Sequence, residues 1–378
     1  MIRLERRAAQ PAWLAWVVPV AAVLAAAIAG GVVIRLNGYA PGSVYSRIAD
    51  RAFSSEGALS ATIVSAGPLL FTGLAASIAF RMRIFNIGAE GQFVCGSVAA
   101  SGVGLLMNDS PTWLVIVVMA AAGALAGALW AAIPGFLRAW LHTNEIITTL
   151  MFNYLAANFA SYLIFGSESH WRELTGTGLM FPQGRRLPEA ASWPQWEAGG
   201  VTWPVGFVVG AAVAAGLLVV FRRTRFGFQV RVMGDEPRAA HYAGVRTRRT
   251  ILGLMALSGA VAGLGGAADV GGVRHVLDPK ALNQAGYGYA GIVVAALARF
   301  NPVAVVFVSV LMGGLANAGR SLQGPDFPAG LVGTLQGLLL LFAVGGEVFA
   351  HYRIRRVGRP GRRGRARAST TPLIGVES

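Results

Sequence analysis

Four carboxylates, Glu90, Glu145, Asp269 and Glu347, stand in or beside long apolar runs, Glu347 at the very end of the last one. An ionised carboxylate near the centre of a bilayer costs about 2.5–3.5 kcal/mol or more, so such groups face a protein interior or a watery cavity. The amides Asn86, Gln92, Asn153, Asn158 and Asn317 recur within the same stretches, and Asn144 directly precedes Glu145. Side-chain amides both donate and accept hydrogen bonds. With the carboxylates they suit a route for an uncharged polar solute, which makes Asn86, Glu90, Gln92, Asn144, Glu145, Asn153 and Asn317 the candidate path residues. Two of them also have a plainer reading, with Asn144 as a helix cap and Glu145 as an anion at the positive end of the helix it opens.

Other chemistries lack their residues. The single lysine, Lys280, lies between Pro279 and Ala281, outside any GxxxxGK[ST] loop of the kind that cradles phosphates. The histidines, at 142, 170, 241, 275 and 351, are scattered without metal-ligand spacing, and no GxSxG elbow is present. One cysteine, Cys95, excludes an intramolecular disulfide. The chain is therefore read as a transport subunit that is not itself an enzyme and binds no cofactor or metal of its own.

A second constellation lies in the polar stretch 222–250, which carries eight arginines. Asp235 or Glu236 is placed to cap a helix that starts at Pro237 and stops at Gly244. Such a helix is roughly two turns, or about 12 Å, long and too short to stand alone. Its small residues Ala239, Ala240 and Ala243 allow a close approach, so it is expected either to dock on a partner or to lie on the membrane surface.

These residues need a membrane-embedded frame. Of 378 residues, 54% are hydrophobic and 13% charged, about half the usual charged share, and mean hydropathy is +0.56. The expected class is all-α, a polytopic integral membrane protein with about ten transmembrane helices over Trp13–Ile34, Thr62–Phe80, Ala89–Met107, Trp113–Ile133, Ile146–Phe165, Trp203–Phe221, Ile251–Gly271, Tyr287–Leu297, Val303–Ala318 and Ala329–Phe349. The eighth run is short, so it is either a half-helix or continues through Ala298 and Arg299. Arginines cluster where runs end, which places both termini in the cytoplasm. The expected organisation is a cytoplasmic N-terminus over 1–11, a permease domain over 12–350 and a disordered basic tail over 351–378. Within the domain, 166–202 is an outer loop bearing Trp171, Trp193 and Trp196, and 222–250 is cytoplasmic. The basic tail is read as an anchor to membrane lipid, with no nucleic acid as partner. GxxxG spacings at Gly123/Gly127, Gly206/Gly210 and Gly259/Gly263 predict close internal helix contacts.

Five strings carry a family resemblance: Leu69 to Gln92, Ile133 to Ala156, Gly227 to Arg248, Leu257 to Gly272 and Gly286 to Val306. They resemble the membrane subunits of bacterial ABC importers in the branched-chain amino acid and simple-sugar permease family, especially those that carry nucleosides. The resemblance implies a multi-pass protein of the bacterial inner membrane. It implies an ABC ATPase subunit that uses ATP, a second permease subunit, more often a different chain than a copy, and an extracytoplasmic substrate-binding lipoprotein. By the same resemblance Gly234 to Gly244 is the coupling helix, with Gly234, Asp235, Glu236, Pro237, Arg238, Ala239, Ala240, Tyr242 and Gly244 meeting the ATPase. A ribose-like sugar or a branched-chain amino acid is the alternative cargo, and an ion-gradient transporter the alternative of another class. Arg299 and Phe300 depart from the small leucine-glycine turn common in the family.

Overall fold

The computed structural model describes residues 2–6, 14–322 and 330–356. Helices dominate: α1 (Leu14–Leu36), α2 (Pro41–Ala49), α3 (Ala58–Phe80), α4 (Ala89–Leu106), α5 (Thr112–Leu141), α6 (Glu145–Ser161), α7 (Val205–Arg223), α8 (Arg225–Asp235), α9 (Pro237–Tyr242), α10 (Thr247–Asp269), α11 (Pro279–Ala285), α12 (Tyr287–Leu297), α13 (Pro302–Ser321) and α14 (Leu331–His351). Each of the ten predicted runs carries a helix. Among the described residues, six segments are long and apolar enough to cross a membrane: Val17–Leu36, Ala58–Phe80, Thr112–Leu141, Val205–Arg223, Thr247–Arg274 and Pro302–Ser321. α4 falls short of that standard because glycine, serine, Glu90 and Gln92 dilute its hydropathy, and it can carry them because most of its residues are buried against other helices. The chain is a multi-pass membrane protein.

α3, α4, α5 and α10 form the centre. α10 lies against α5 along a seam of glycines: a Cβ on Gly123 would meet Ala267 and the Gly263 carbonyl, and one on Gly127 would meet the Gly259 carbonyl. Gly96 of α4 joins the same seam at Gly263, and Gly206 of α7 meets Ala268. The three predicted spacings thus mark internal contacts, where backbone approach replaces the hydrophobic drive that lipid does not supply.

α12 is a half-helix of 11 residues, about 16 Å long. It ends at Leu297 in a turn where Arg299 and Phe300 take φ of 48° and 59°, a left-handed conformation that costs a non-glycine residue roughly 1–2 kcal/mol. The segment between α6 and α7 holds a hairpin of β2 (Gln195–Ala198) and β3 (Val201–Pro204), with Trp196 opposite Trp203. The segment docks on the end of α10 through Trp193 N–H to the Gly271 carbonyl (2.9 Å) and Leu187 N–H to the His275 carbonyl (2.9 Å). Burial, with Arg186 adding to it, lowers the pKa of the His275 imidazole.

At the ends of the chain, β1 (Ile2–Arg6) pairs antiparallel with β4 (Tyr352–Arg356), Leu4 opposite Ile354 and Glu5 opposite Arg353. This corrects the expectation of a structureless tail for residues 352–356, where two-residue alternation in both segments fits a strand pair. The Glu347 side chain and the tail from 357 onward lie outside the described residues.

Candidate functional site

The chain between α3 and α4 turns back through Phe85–Gly88, and the amides of this turn satisfy one another. Asn86 is fully buried; its amide nitrogen donates to Gln92 Oε1 (3.1 Å) and Ser258 Oγ (2.9 Å), and its oxygen accepts from Gly88 N–H (2.9 Å) and Gln92 Nε2 (3.1 Å). Ser258 in turn donates to the Ala75 carbonyl (2.7 Å), tying α10 to α3. From α6, Asn153 accepts from Gly91 N–H (2.8 Å) and donates to the Ile87 carbonyl (2.9 Å). Thr149 accepts from Ile87 N–H (3.2 Å). A Cβ on Gly91 would press on the Phe152 carbonyl and Asn153, so glycine lets the start of α4 lie against α6.

Glu90 continues this polar column. Its carboxylate accepts a short hydrogen bond from Gly288 N–H at the start of α12, where a helix has unsatisfied donors and a positive end. One residue earlier, the Tyr287 carbonyl accepts from Thr72 Oγ1 (2.9 Å). The Tyr287 hydroxyl accepts from Arg274 (3.1 Å), and Arg274 Nε lies 2.5 Å from Asp269, an acid that is 3% exposed. A π turn over Val270–Arg274 at the end of α10 brings Arg274 back onto Asp269. Two polar clusters therefore meet at the start of α4: one runs from Asp269 through Arg274 and Tyr287 to Gly288 and Glu90, the other joins Asn86, Gln92 and Ser258 and, through the backbone of Ile87 and Gly91, Asn153.

Of the candidate path residues, Asn86, Glu90, Gln92 and Asn153 come together in this column. Asn144 and Glu145 lie apart at the start of α6: Asn144 accepts from Ile146 N–H (2.9 Å), and Glu145 pairs with Arg138 (3.3 Å). Asn317 lies elsewhere again, donating to the Arg51 carbonyl (3.1 Å) and fastening α13 to the turn before α3. Asn158 is exposed and bonds its own helix at the Tyr154 carbonyl. Sequence reasoning missed Thr72, Ser258, Arg274 and Tyr287. An arginine five residues beyond an intramembrane aspartate was the available signal for Arg274. At the Asp269 end, a cavity of about 470 Å³ opens beside Arg274, Gln284, Tyr287, Arg320 and Gln336.

The opposite end of α10, some 33 Å away at 1.5 Å per residue, meets the polar segment 222–250. This segment holds two helices, α8 and α9, of which only the second was expected. Thr224 caps α8 by accepting from Gly227 N–H (3.2 Å). α9 starts at Pro237 as expected, but neither Asp235 nor Glu236 supplies a side-chain cap, and Gly244 follows its end at φ 74°. Asp235, Glu236, Pro237, Arg238, Ala239 and Gly244 are exposed, and Tyr242 is 91% exposed. Gly234 and Ala240 instead face the bundle. A Cβ on Gly234 would meet the Arg81 carbonyl, and Ala240 is fully buried. Beside α9 lies a basic cleft of about 1000 Å³ walled by Arg83, Arg138, His142, Arg246, Arg248 and Arg249.

The arrangement combines a satisfied polar column through a glycine-packed bundle with a short exposed helix at one end of its central helix. Comparison with known proteins agrees. Residues 58–344 match the family described as branched-chain amino acid transport system, permease component. The chain is similar to a glucose ABC transporter permease of Haloferax volcanii, 34% identical over 93% of both chains. It is also similar to a guanosine ABC transporter permease of Bacillus subtilis, 31% identical over 90% of this chain and 94% of the relative. A nucleoside ABC transporter permease of Lactococcus lactis is 27% identical over 86% and 89%. With a family match over most of its length and a relative above 30% identity, the chain belongs to the permease components of the branched-chain amino acid transport system family.

Proposed function

We propose that this chain is the membrane permease of an ATP-binding-cassette importer that carries nucleosides, driven by a separate ATPase subunit. The observation that carries the reading is α9, a six-residue helix with Arg238 and Tyr242 exposed and Ala240 anchoring it to the bundle. An element of that size gains stability from docking rather than from itself. Relatives named for guanosine and for nucleosides support the cargo. Family membership supplies the ATPase partner, and a second guanosine ABC transporter permease of Bacillus subtilis, 23% identical to this chain, supports a second, different permease subunit beside this one. A substrate-binding lipoprotein on the outer face of a bacterial inner membrane completes the assembly.

In this reading ATP closes the partner domains and shifts the permease between inward- and outward-open populations, while the chain itself binds no ATP. The pairing of β1 with β4 sets residues 2–6 beside residues 352–356, which supports an even number of crossings between them, ten, with both segments cytoplasmic. Glucose is the second reading, favoured by the Haloferax volcanii relative.

The test is reconstitution of the permease pair, ATPase and receptor in proteoliposomes with ATP on the ATPase side. Labelled guanosine is expected to accumulate only with ATP and ATPase present, and glucose to accumulate little. Accumulation that follows a proton gradient without the ATPase overturns the importer assignment. Glucose uptake without guanosine uptake overturns the cargo alone.

A further inference from the structure

The basic cleft beside α9 gathers more positive charge than its neighbours balance. Arg138 is paired with Glu145, but Arg83, Arg246, Arg248 and Arg249 are exposed and form no ion pair among the described residues. No acid is among the lining residues, and Asp235 and Glu236, which adjoin Gly234 and Pro237 of the wall, are too few to balance four guanidiniums. The terminal segments outside the described residues, 7–13 and 357–378, hold six arginines and one glutamate, so charge from there would add to the excess. Arg83, after α3, and His142, after α5, take φ of 56° and 54°, where glycine is the usual residue. α10 opens on the cleft with no side-chain cap, no acid in its first turn and arginines at 246, 248 and 249, the charge that a helix N-terminus disfavours. An anion there would meet both the guanidiniums and the unsatisfied N–H groups of that turn.

The cleft also leads onto an apolar track. Trp140, in its wall, lies 5.9 Å from the Arg248 guanidinium and stacks on Phe136 at 4.8 Å, and tryptophan at the end of a spanning helix marks headgroup level. Phe136, Ile133, Leu129 and Leu125 follow at helical spacing on one exposed face of α5. Leu129 and Ile133 also line a groove of about 270 Å³ with Cys95, Val98 and Phe159. From Trp140 back to Leu129 is about 16 Å along the helix, close to one leaflet of a hydrocarbon core about 30 Å thick. Arg238 and Tyr242, the exposed side of α9, are not in the cleft wall, so a protein docked on them does not need this space.

We propose that the cleft binds one anionic phospholipid, its phosphate held by Arg83, Arg246, Arg248 and Arg249 and one acyl chain laid along Phe136, Ile133 and Leu129. Basic pockets between helices at a membrane surface take anionic headgroups in this way. A zwitterionic lipid brings the same phosphate together with a cation that the guanidiniums repel. A soluble nucleotide satisfies the guanidiniums but leaves the apolar track bare. The inference rests on the membrane embedding of the chain and not on its cargo.

The experiment uses the complete importer in detergent, stripped of native lipid and titrated with dioleoylphosphatidylglycerol or dioleoylphosphatidylcholine, with bound lipid counted by native mass spectrometry. Phosphatidylglycerol is expected to bind about tenfold tighter than phosphatidylcholine. Arg248→Gln with Arg249→Gln should lower that affinity at least tenfold and remove one bound lipid per copy of this chain. Arg223→Gln with Arg225→Gln, which removes as much charge outside the cleft wall, should leave the count unchanged. Arg83→Gln, from the other side of the cleft, should act as the first pair does and serves if that pair does not assemble. Equal binding of the two lipids, equal loss in cleft and control variants, or displacement of phosphatidylglycerol by millimolar guanosine monophosphate overturns the proposal and leaves the importer reading standing. Failure of ATP-driven uptake overturns the importer reading and leaves the lipid count untouched.

Discussion

Arg81, one residue past α3, donates a 2.7 Å hydrogen bond to the backbone carbonyl of Phe300 in the turn between α12 and α13. That turn holds two successive non-glycine residues with left-handed backbone, Arg299 and Phe300, and Phe80 packs edge-on against the Phe300 ring at 5.5 Å. The Arg81 guanidinium also lies 4.4 Å from the Phe221 ring of α7, and its carbonyl is the atom that fixes Gly234 as glycine. One residue thus joins α8, the end of α7 and the turn that bounds the half-helix. The arginine-phenylalanine departure from a leucine-glycine turn is held by its neighbours rather than by its own preference.

Arg81→Gln is expected to destabilise the permease by about 1.5–3 kcal/mol, the range for a hydrogen bond to a charged group, read as a lower thermal midpoint in detergent. Arg81→Lys, which keeps the charge but not the fork, should fall between the two. A midpoint unchanged in Arg81→Gln would remove the clamp.

The ATPase contact is expected to divide by exposure. Arg238→Glu or Tyr242→Ala should leave insertion and thermal stability unchanged, because both side chains point away from the bundle, while co-purification of the ATPase and ATP-driven uptake fall at least tenfold. Ala240→Glu buries a charge in a fully enclosed site and should instead cost folded protein. Equal loss of folded protein in all three would remove the docking assignment.

Helix existence was legible from the length of the apolar runs, and α9 from Pro237 and Gly244, because both signals are local. α8 was missed because it is short and polar on average and is ordered by tertiary contacts along one face: Val230 and Met233 are buried, and Gly227 packs on Phe221. The amide cluster was half legible. Asn86, Glu90 and Gln92 sit on one short segment, so their proximity follows from spacing, whereas Asn153, Ser258 and Gly288 reach them from distant elements through packing alone. The position of Asn144 before Glu145 already offered the cap it forms, whereas Asn317 looked like a path residue because only packing shows that it fastens α13 to the turn before α3.

The glycine seam offers a test of packing without charge. Gly127→Ala places a methyl group against the Gly259 carbonyl and Gly263, and overpacking of this kind costs typically 1–3 kcal/mol. Gly216→Ala, on an exposed face of α7 with open space around it, should be neutral or stabilising by about 0.5–1 kcal/mol. Thermal midpoints of the two variants in the same detergent should move in opposite directions. Equal shifts would show that α5 and α10 are not held at backbone contact.

Glu90 and Gly288 give the last prediction, on how the half-helix is held. The carboxylate accepts from Gly288 N–H at the first turn of α12, where no intrahelical acceptor is available, and a Cβ on Gly288 would collide with the Glu90 backbone. Glu90→Gln keeps an acceptor oxygen at the same reach, so it should retain most uptake. Glu90→Ala leaves that donor unpaired in a buried site, at a cost of about 1–3 kcal/mol, and should release the start of α12. Hydrogen exchange at residues 287–290 is expected to quicken in Glu90→Ala and to change little in Glu90→Gln, with uptake following the same order. Slow exchange in both variants would show that Thr72 and the Arg274–Tyr287 contact hold α12 without Glu90, and the carboxylate would then be free to meet the solute.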